Sequence, residues 1–224
     1  EIKKFEKNIS NICRTKYAVA LNSGTDALLL ALHLAGVKRG DEVITPPNSF
    51  IASTSVIVHL GAKPVFVDVL PDQNINPDLI ERAITKKTKA IMPVHLTGRV
   101  CEMKKIMNLS KKYNIPIIED AAQSVGSKLN NKMSGSFGDL GCFSAHPLKN
   151  LNACGDGGYL TTNNKNFYLK ATQLRNHGLS NRNLVKKFGF LSRMDVLQSV
   201  ILNYRIKNLK QTIIKRRKNA KLYF

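Results

Sequence analysis

No two cysteines in this 224-residue chain stand close enough to form a CxxC pair. The four present, Cys13, Cys101, Cys142 and Cys154, are widely spaced. That spacing argues against a disulfide scaffold or a zinc site and fits a reducing compartment. The chain also lacks any run of about 18 apolar residues, so a membrane span is not expected. Its opening residues have neither the apolar core nor the small-residue cleavage site of a secretory signal. Acidic side chains are scarce, 15 against 35 Lys and Arg, which gives a formal charge of +20. Such an excess suits phosphate backbones. Yet the basic residues are spread along the whole chain, densest only from Lys210 to Lys221, and zinc-finger, RNP-type and basic-zipper patterns are all missing. The expected protein is cytoplasmic and binds neither metal, membrane nor nucleic acid. A polyanionic small substrate is compatible with its charge.

What is present is a regular alternation of apolar runs and amphipathic stretches. Strands are expected at Tyr17 to Leu21, Glu42 to Thr45, Lys63 to Val69, Ala90 to Val94 and Ile115 to Asp120. Helical patterns lie between them, at Thr25 to Ala35, Ser49 to Leu60, Pro77 to Ile84 and Glu102 to Tyr113. Continuous apolar strands alternating with helices indicate an α/β fold, a mostly parallel sheet covered on both faces. After Asp120 the pattern shifts to short strands, Gly141 to Ala145 and Gly157 to Thr162. A helix from Lys165 to about Asn176 and a long basic helix from about Asp195 then follow. The last helix stops without glycine, proline or a cap, so the chain is expected to be a fragment of a longer one.

Three features could carry chemistry. "NSGTDALLLAL" puts Ser, Gly and Thr at the opening of a helix, where free N–H groups and the helix dipole favour a phosphate. An ordinary capped helix has the same look. Asp120 closes the apolar run "IPIIED", at the carboxyl end of a strand, where open α/β sheets bind their ligands. The alternative role for Asp120 is a helix N-cap. Lys149 stands apart from the surface lysines, between the apolar run "GCFSAHPL" and a glycine-rich turn, with Ser144 five residues before it as a second phosphate ligand. A phosphate cradle, a strand-end carboxylate and a set-apart amine together are what pyridoxal phosphate requires. Its aldehyde condenses with a lysine, its ring nitrogen is kept protonated by a carboxylate, and its phosphate needs N–H and hydroxyl donors.

Eight ordered motifs then carry a resemblance that runs from the first residues to the last. They are "NSGTDALLLAL", "TPPNSFIAST", "GAKPVFVDV", "PVHLTGRVCEM", "IIEDAAQSVGS", "GDLGCFSAHPLKNLNACGDGG", "LRNHG" and "SRMDVLQSVIL". In these the chain resembles the DegT/DnrJ/EryC1/StrS family of pyridoxal-phosphate-dependent sugar aminotransferases. The resemblance implies a fold-type I aminotransferase large domain over residues 1–194, N-terminally incomplete. Residues 195–224 would be a basic helix leading into a small C-terminal domain that is largely missing. It also implies a homodimer with shared active sites, a nucleotide-sugar substrate and an amino-acid donor, usually glutamate.

Matched motif by motif, the resemblance makes Lys149 the cofactor-linked lysine and Asp120 the partner of the ring nitrogen. Gln123 would sit beside the ring, and Phe50 would stack on it. Gly24, Thr25, Asp26 (through its backbone) and Ser144 would hold the phosphate, and His146 would face the substrate. His95, Arg175 and His177 lie in family motifs but suit local polar roles equally well. Where many relatives read G-x-N-S-R this chain reads "GFLSR". Leu191 thus replaces an asparagine that reaches the neighbouring subunit's cofactor phosphate, leaving Ser192 or Arg193 to compensate. "KNLNACGDGG" looks more like relatives that aminate C3 of a keto-sugar. A sugar dehydratase on the same fold, which carries histidine at the lysine position, and a non-catalytic regulatory or binding protein are the alternatives.

Overall fold

The computed structural model describes residues 1–223. Its centre is a sheet whose strands are β1 (Tyr17–Leu21), β2 (Glu42–Thr45), β3 (Lys63–Phe66), β4 (Thr88–Ile91), β5 (Ile118–Asp120), and, after a short hairpin of β6 (Lys128–Leu129) and β7 (Lys132–Met133), β8 (Leu140–Ser144) and β9 (Gly158–Thr162). One block runs in the order β1-β9-β8-β5 and the other β3-β2-β4. Parallel bridges Ile91–Ile117 and Val94–Asp120 join them into one surface. Only β9 runs against the rest. The sheet is therefore mostly parallel, as the unbroken apolar runs imply.

Side-chain alternation sorts the sheet residues onto two faces. Val19, Leu21, Ile118, Leu140, Cys142 and Leu160 pack with helices α2 (Gly24–Leu34), α3 (Ile51–His59) and α6 (Lys165–Leu174). Their neighbours Ala18, Ala20, Phe143 and Tyr159 face α1 (Ile2–Cys13) and α7 (Val196–Ile206). A third cluster packs β2 and β4 against α4 (Pro77–Ala83) and α5 (Met103–Tyr113). The same alternation parts two adjacent carboxylates. Asp120 shares the face of Ile118, beneath α2 and α3, and Glu119 points to the other.

Two features depart from the sequence reading. The amino-terminal helix α1 was not anticipated, although Ile2, Phe5, Ile9 and Cys13 fall on one helical face and three of them are fully buried. The expected single basic helix from Asp195 is two, α7 and α8 (Leu209–Ala220), turning at Lys207 and Asn208. The turn lets Leu209 enter the same cluster as Phe5 and Leu202. α7 lies against α1, so the expected boundary at residue 195 falls where a core helix begins.

Candidate active site

The start of α2 is built by one cap and two close approaches. Ser23 Oγ accepts the Asp26 N–H at 3.0 Å, and the Ser23 carbonyl accepts from Ala27. Asp26, expected to offer its backbone N–H to a phosphate, therefore spends it on the cap and does not line the cleft. The N–H groups of Gly24 and Thr25 have no acceptor among the described residues, as the first turn of a helix leaves them. A Cβ on Gly24 would lie 2.7 Å from Ser144 Cβ, and one on Gly158 would lie 2.2 Å from the Ser23 carbonyl. Glycine at both positions seats α2 directly on the ends of β8 and β9, beside the Ser144 hydroxyl.

Asp120 is 4% exposed. Its Oδ2 accepts the Ser53 hydroxyl at 2.7 Å and its Oδ1 accepts the Ala122 N–H at 3.2 Å. Ser53 in turn shares a 2.7 Å hydrogen bond with Ser49. No helix follows Asp120, which removes the N-cap alternative. Burial pushes its carboxyl above the ordinary range, and the Ser53 and Ala122 hydrogen bonds and the charge of Lys149 offset this only in part.

Lys149 sits in a turn fixed at both ends. Its N–H donates to the His146 carbonyl at 2.8 Å, and Ala153 N–H donates to Ala145 at 2.7 Å. Two α7 side chains hold the same loop from outside. Arg205 donates to the Asn152 carbonyl at 2.7 Å, and Gln198 bonds both the N–H and the carbonyl of Cys154. The Lys149 amine has no carboxylate within 4.0 Å among the described residues. It nevertheless lines the same cleft as Asp120.

That cleft, about 450 Å³, opens at the carboxyl ends of the parallel strands. Gly24, Thr25, Phe50, Asp120, Gln123, Ser144, His146 and Lys149 all border it. Phe50 is 71% exposed at the start of α3, so its ring is not a core residue. Gln123 Oε1 accepts the Thr97 N–H at 2.6 Å. His146, exposed at the cleft, accepts the Leu148 N–H on Nδ1. Ser49 and Ser53 were not foreseen. Their signal is weak, because Thr54 and Ser55 add two more hydroxyls to the same helix opening. Leu191, Ser192 and Arg193 lie outside the cleft, and the Ser192 hydroxyl reaches Asn22 at 3.4 Å.

The remaining motif residues make local polar contacts, with His95 also bordering the cleft. Arg175 joins Glu6 of α1 to the Ala20 carbonyl of β1. His177 takes a left-handed conformation and donates its N–H to Phe190. His95 is fully buried, with Nδ1 accepting the Cys101 N–H and Nε2 at 2.9 Å from Glu119. That pattern puts the imidazole proton on Nε2. Glu119 then accepts four hydrogen bonds, from His95 and from the N–H groups of Gly135, Phe137 and Gly138. Removing it would orphan four donors at once, two of them fully buried and two partly buried. Glu119→Ala is expected to cost about 3–5 kcal/mol in chemical denaturation, the range for breaking a buried charged network. A loss below about 1 kcal/mol, the net worth of one ordinary hydrogen bond, would show the network to be dispensable.

The family model of the DegT/DnrJ/EryC1/StrS aminotransferases matches residues 1–224. The chain belongs to that family. It is 41% identical over 223 residues to a pleiotropic regulatory protein of Geobacillus stearothermophilus, covering 99% of this chain and 60% of that one. It is 44% identical to a UDP-N-acetyl-3-dehydro-alpha-D-glucosamine 3-aminotransferase of Acidithiobacillus ferrooxidans, covering 88% and 54%. Among solved structures, NtdA from Bacillus subtilis with bound cofactor PMP superimposes with a TM-score of 0.87 at 39% identity, covering 93% of this chain and 48% of NtdA. The chain thus spans about half to three-fifths of the length of the relatives it matches. As a DegT/DnrJ/EryC1/StrS chain it has the α/β large-domain fold that its motifs implied.

Proposed function

We propose that the full-length protein transfers an amino group from an amino acid, glutamate by preference, to a keto-sugar nucleotide, with pyridoxal phosphate as cofactor. The observation that carries this is the arrangement of one cleft. A free amine and a buried carboxylate border it without touching, and a helix start with the Gly24 and Thr25 N–H groups free opens into it. The residues fit the group. The Gly24 and Thr25 N–H groups and the Ser144 hydroxyl would receive the phosphate. Asp120, aimed by Ser53 and Ala122, would hold the ring nitrogen protonated. Phe50 offers an exposed aromatic face for stacking, and Gln123, on the cleft wall, would lie beside the ring. Bound there, pyridoxal phosphate supplies an electron sink for the charge left at the donor's α-carbon.

The work of Lys149 is to anchor the cofactor and then to carry a proton. Its Nζ would take the proton from the donor's α-carbon in the first half of the reaction and supply one to the former keto carbon of the sugar in the second. His146, which borders the cleft, would meet the sugar. The 3-aminotransferase relative and the "KNLNACGDGG" segment support amination at C3. A homodimer is part of the proposal. Val196, Leu197, Val200 and Tyr204 of α7 are 45–67% exposed, while Ser199, Leu202 and Asn203 of the same helix are buried, leaving an apolar surface suited to a second copy. The four free cysteines accord with a reducing compartment, so the reaction is assigned to the cytoplasm. No helix among the described residues is long and apolar enough to cross a membrane.

An amino-transfer assay of the full-length protein, with glutamate and a panel of keto-sugar nucleotides, tests this reading. Glutamate-dependent amination of a 3-keto sugar is the expected result. Cofactor binding without transfer to any acceptor would favour the regulatory alternative. Loss of a sugar hydroxyl without glutamate would favour the dehydratase.

A further inference from the structure

A second cavity, about 650 Å³, lies against the first, with Gln123, Leu148 and Lys149 bordering both. Its outer wall is one face of α8. Ile213, Arg216, Arg217 and Ala220 recur at the i, i+3, i+4, i+7 spacing that aligns side chains along a helix. The helix is held there by a close contact. A Cβ on Gly126 would stand 2.6 Å from Ile213 Cδ1, so the missing side chain at Gly126 is what admits Ile213. One turn further on, the two arginines border the cavity. No Asp or Glu lines it, and among the described residues neither guanidinium has a carboxylate partner. With Lys149 on the shared wall, three cations face one space and nothing answers their charge. Clefts lined by a single sign of charge concentrate the opposite ion.

From this we infer that Arg216 and Arg217 form an oxyanion subsite for the substrate, one that takes the phosphate groups of the acceptor sugar while its keto carbon faces Lys149. The inference rests on the aminotransferase reading and names the part of the acceptor that this wall recognises. Two sources could supply such an anion, the acceptor's phosphates or a donor carboxylate. Two adjacent guanidinium forks in a cavity larger than the cleft suit a diphosphate better than a single carboxylate.

The test compares the full-length protein with its Arg216→Gln/Arg217→Gln double variant, both loaded with pyridoxal phosphate. Both positions are exposed, and circular dichroism checks that the fold is kept. Calorimetric titration with inorganic pyrophosphate is expected to show binding weakened about tenfold or more, as the loss of charged hydrogen bonds implies. KM for the acceptor should rise by a similar factor, with KM for glutamate unchanged. A rise in KM for glutamate alone would overturn the phosphate assignment and give the subsite to the donor. Unchanged pyrophosphate binding together with unchanged KM values would overturn the subsite itself. Because pyrophosphate binding needs no turnover, a protein that transfers no amino group would still decide this point separately.

Discussion

Lys149→Ala is expected to lower amino transfer by about 10⁴-fold or more, the upper range for losing a positioned proton carrier, here combined with loss of the covalent anchor. The fold should not notice. The Lys149 side chain makes no ion pair or hydrogen bond among the described residues, and its turn is held by backbone bonds and by Arg205 and Gln198. Stability should therefore stay within about 0.5 kcal/mol of the parent. Some cofactor should remain bound without a covalent link, because the helix start, Ser144 and Asp120 are untouched. Activity within tenfold of the parent would transfer the proton-carrying role to another group.

The second large effect belongs to Asp120. Asp120→Asn is expected to reduce activity by about a hundredfold or more, comparable to losing one electrostatic partner of a developing charge. Its stability should move the other way. The amide can keep both contacts. Its oxygen accepts from Ala122, its NH₂ donates to Ser53, and the Ser53 hydroxyl turns toward Ser49, a pair in which either oxygen can donate. The buried charge is gone. Burial raises the carboxyl of Asp120 above its ordinary value of 3.8 in the cofactor-free folded protein. The folded state therefore binds more protons than the unfolded chain in that window, and ionisation costs stability as pH rises through it. The asparagine variant should match or exceed the parent's melting temperature at neutral pH. Its advantage should shrink as pH falls toward 4, where the unfolded carboxyl also takes up its proton. Melting curves of the two cofactor-free proteins across pH 4–7, run beside activity assays, check both halves. A variant that is both active and unstable would make Asp120 a structural residue.

Much of this was legible because it is local. The strand at "YAVAL" and the cap at Ser23 depend on neighbours a few residues away, and the cleft follows from where parallel strands end. The residues that sequence reasoning missed act across long separations. Ser53 finds Asp120 from 67 positions away, and Arg205 and Gln198 reach the lysine loop from 53 and 44. No periodicity marks such partners. Asp26 shows the opposite failure. A family position was carried over as a backbone donor, but the serine three residues earlier already uses that N–H. The break between α7 and α8 was invisible because no glycine or proline marks it. It is set by the burial of Leu209 and the fit of Ile213 against Gly126. α1 had a readable apolar spacing beneath its lysines.

The most direct measurement is the site of covalent attachment. Full-length protein incubated with pyridoxal phosphate, reduced with borohydride, digested and mapped by mass spectrometry should carry the cofactor on Lys149 and on no other lysine. Attachment at a different lysine, or none in a protein that still transfers amino groups, would contradict the reading of this cleft as the aminotransferase site.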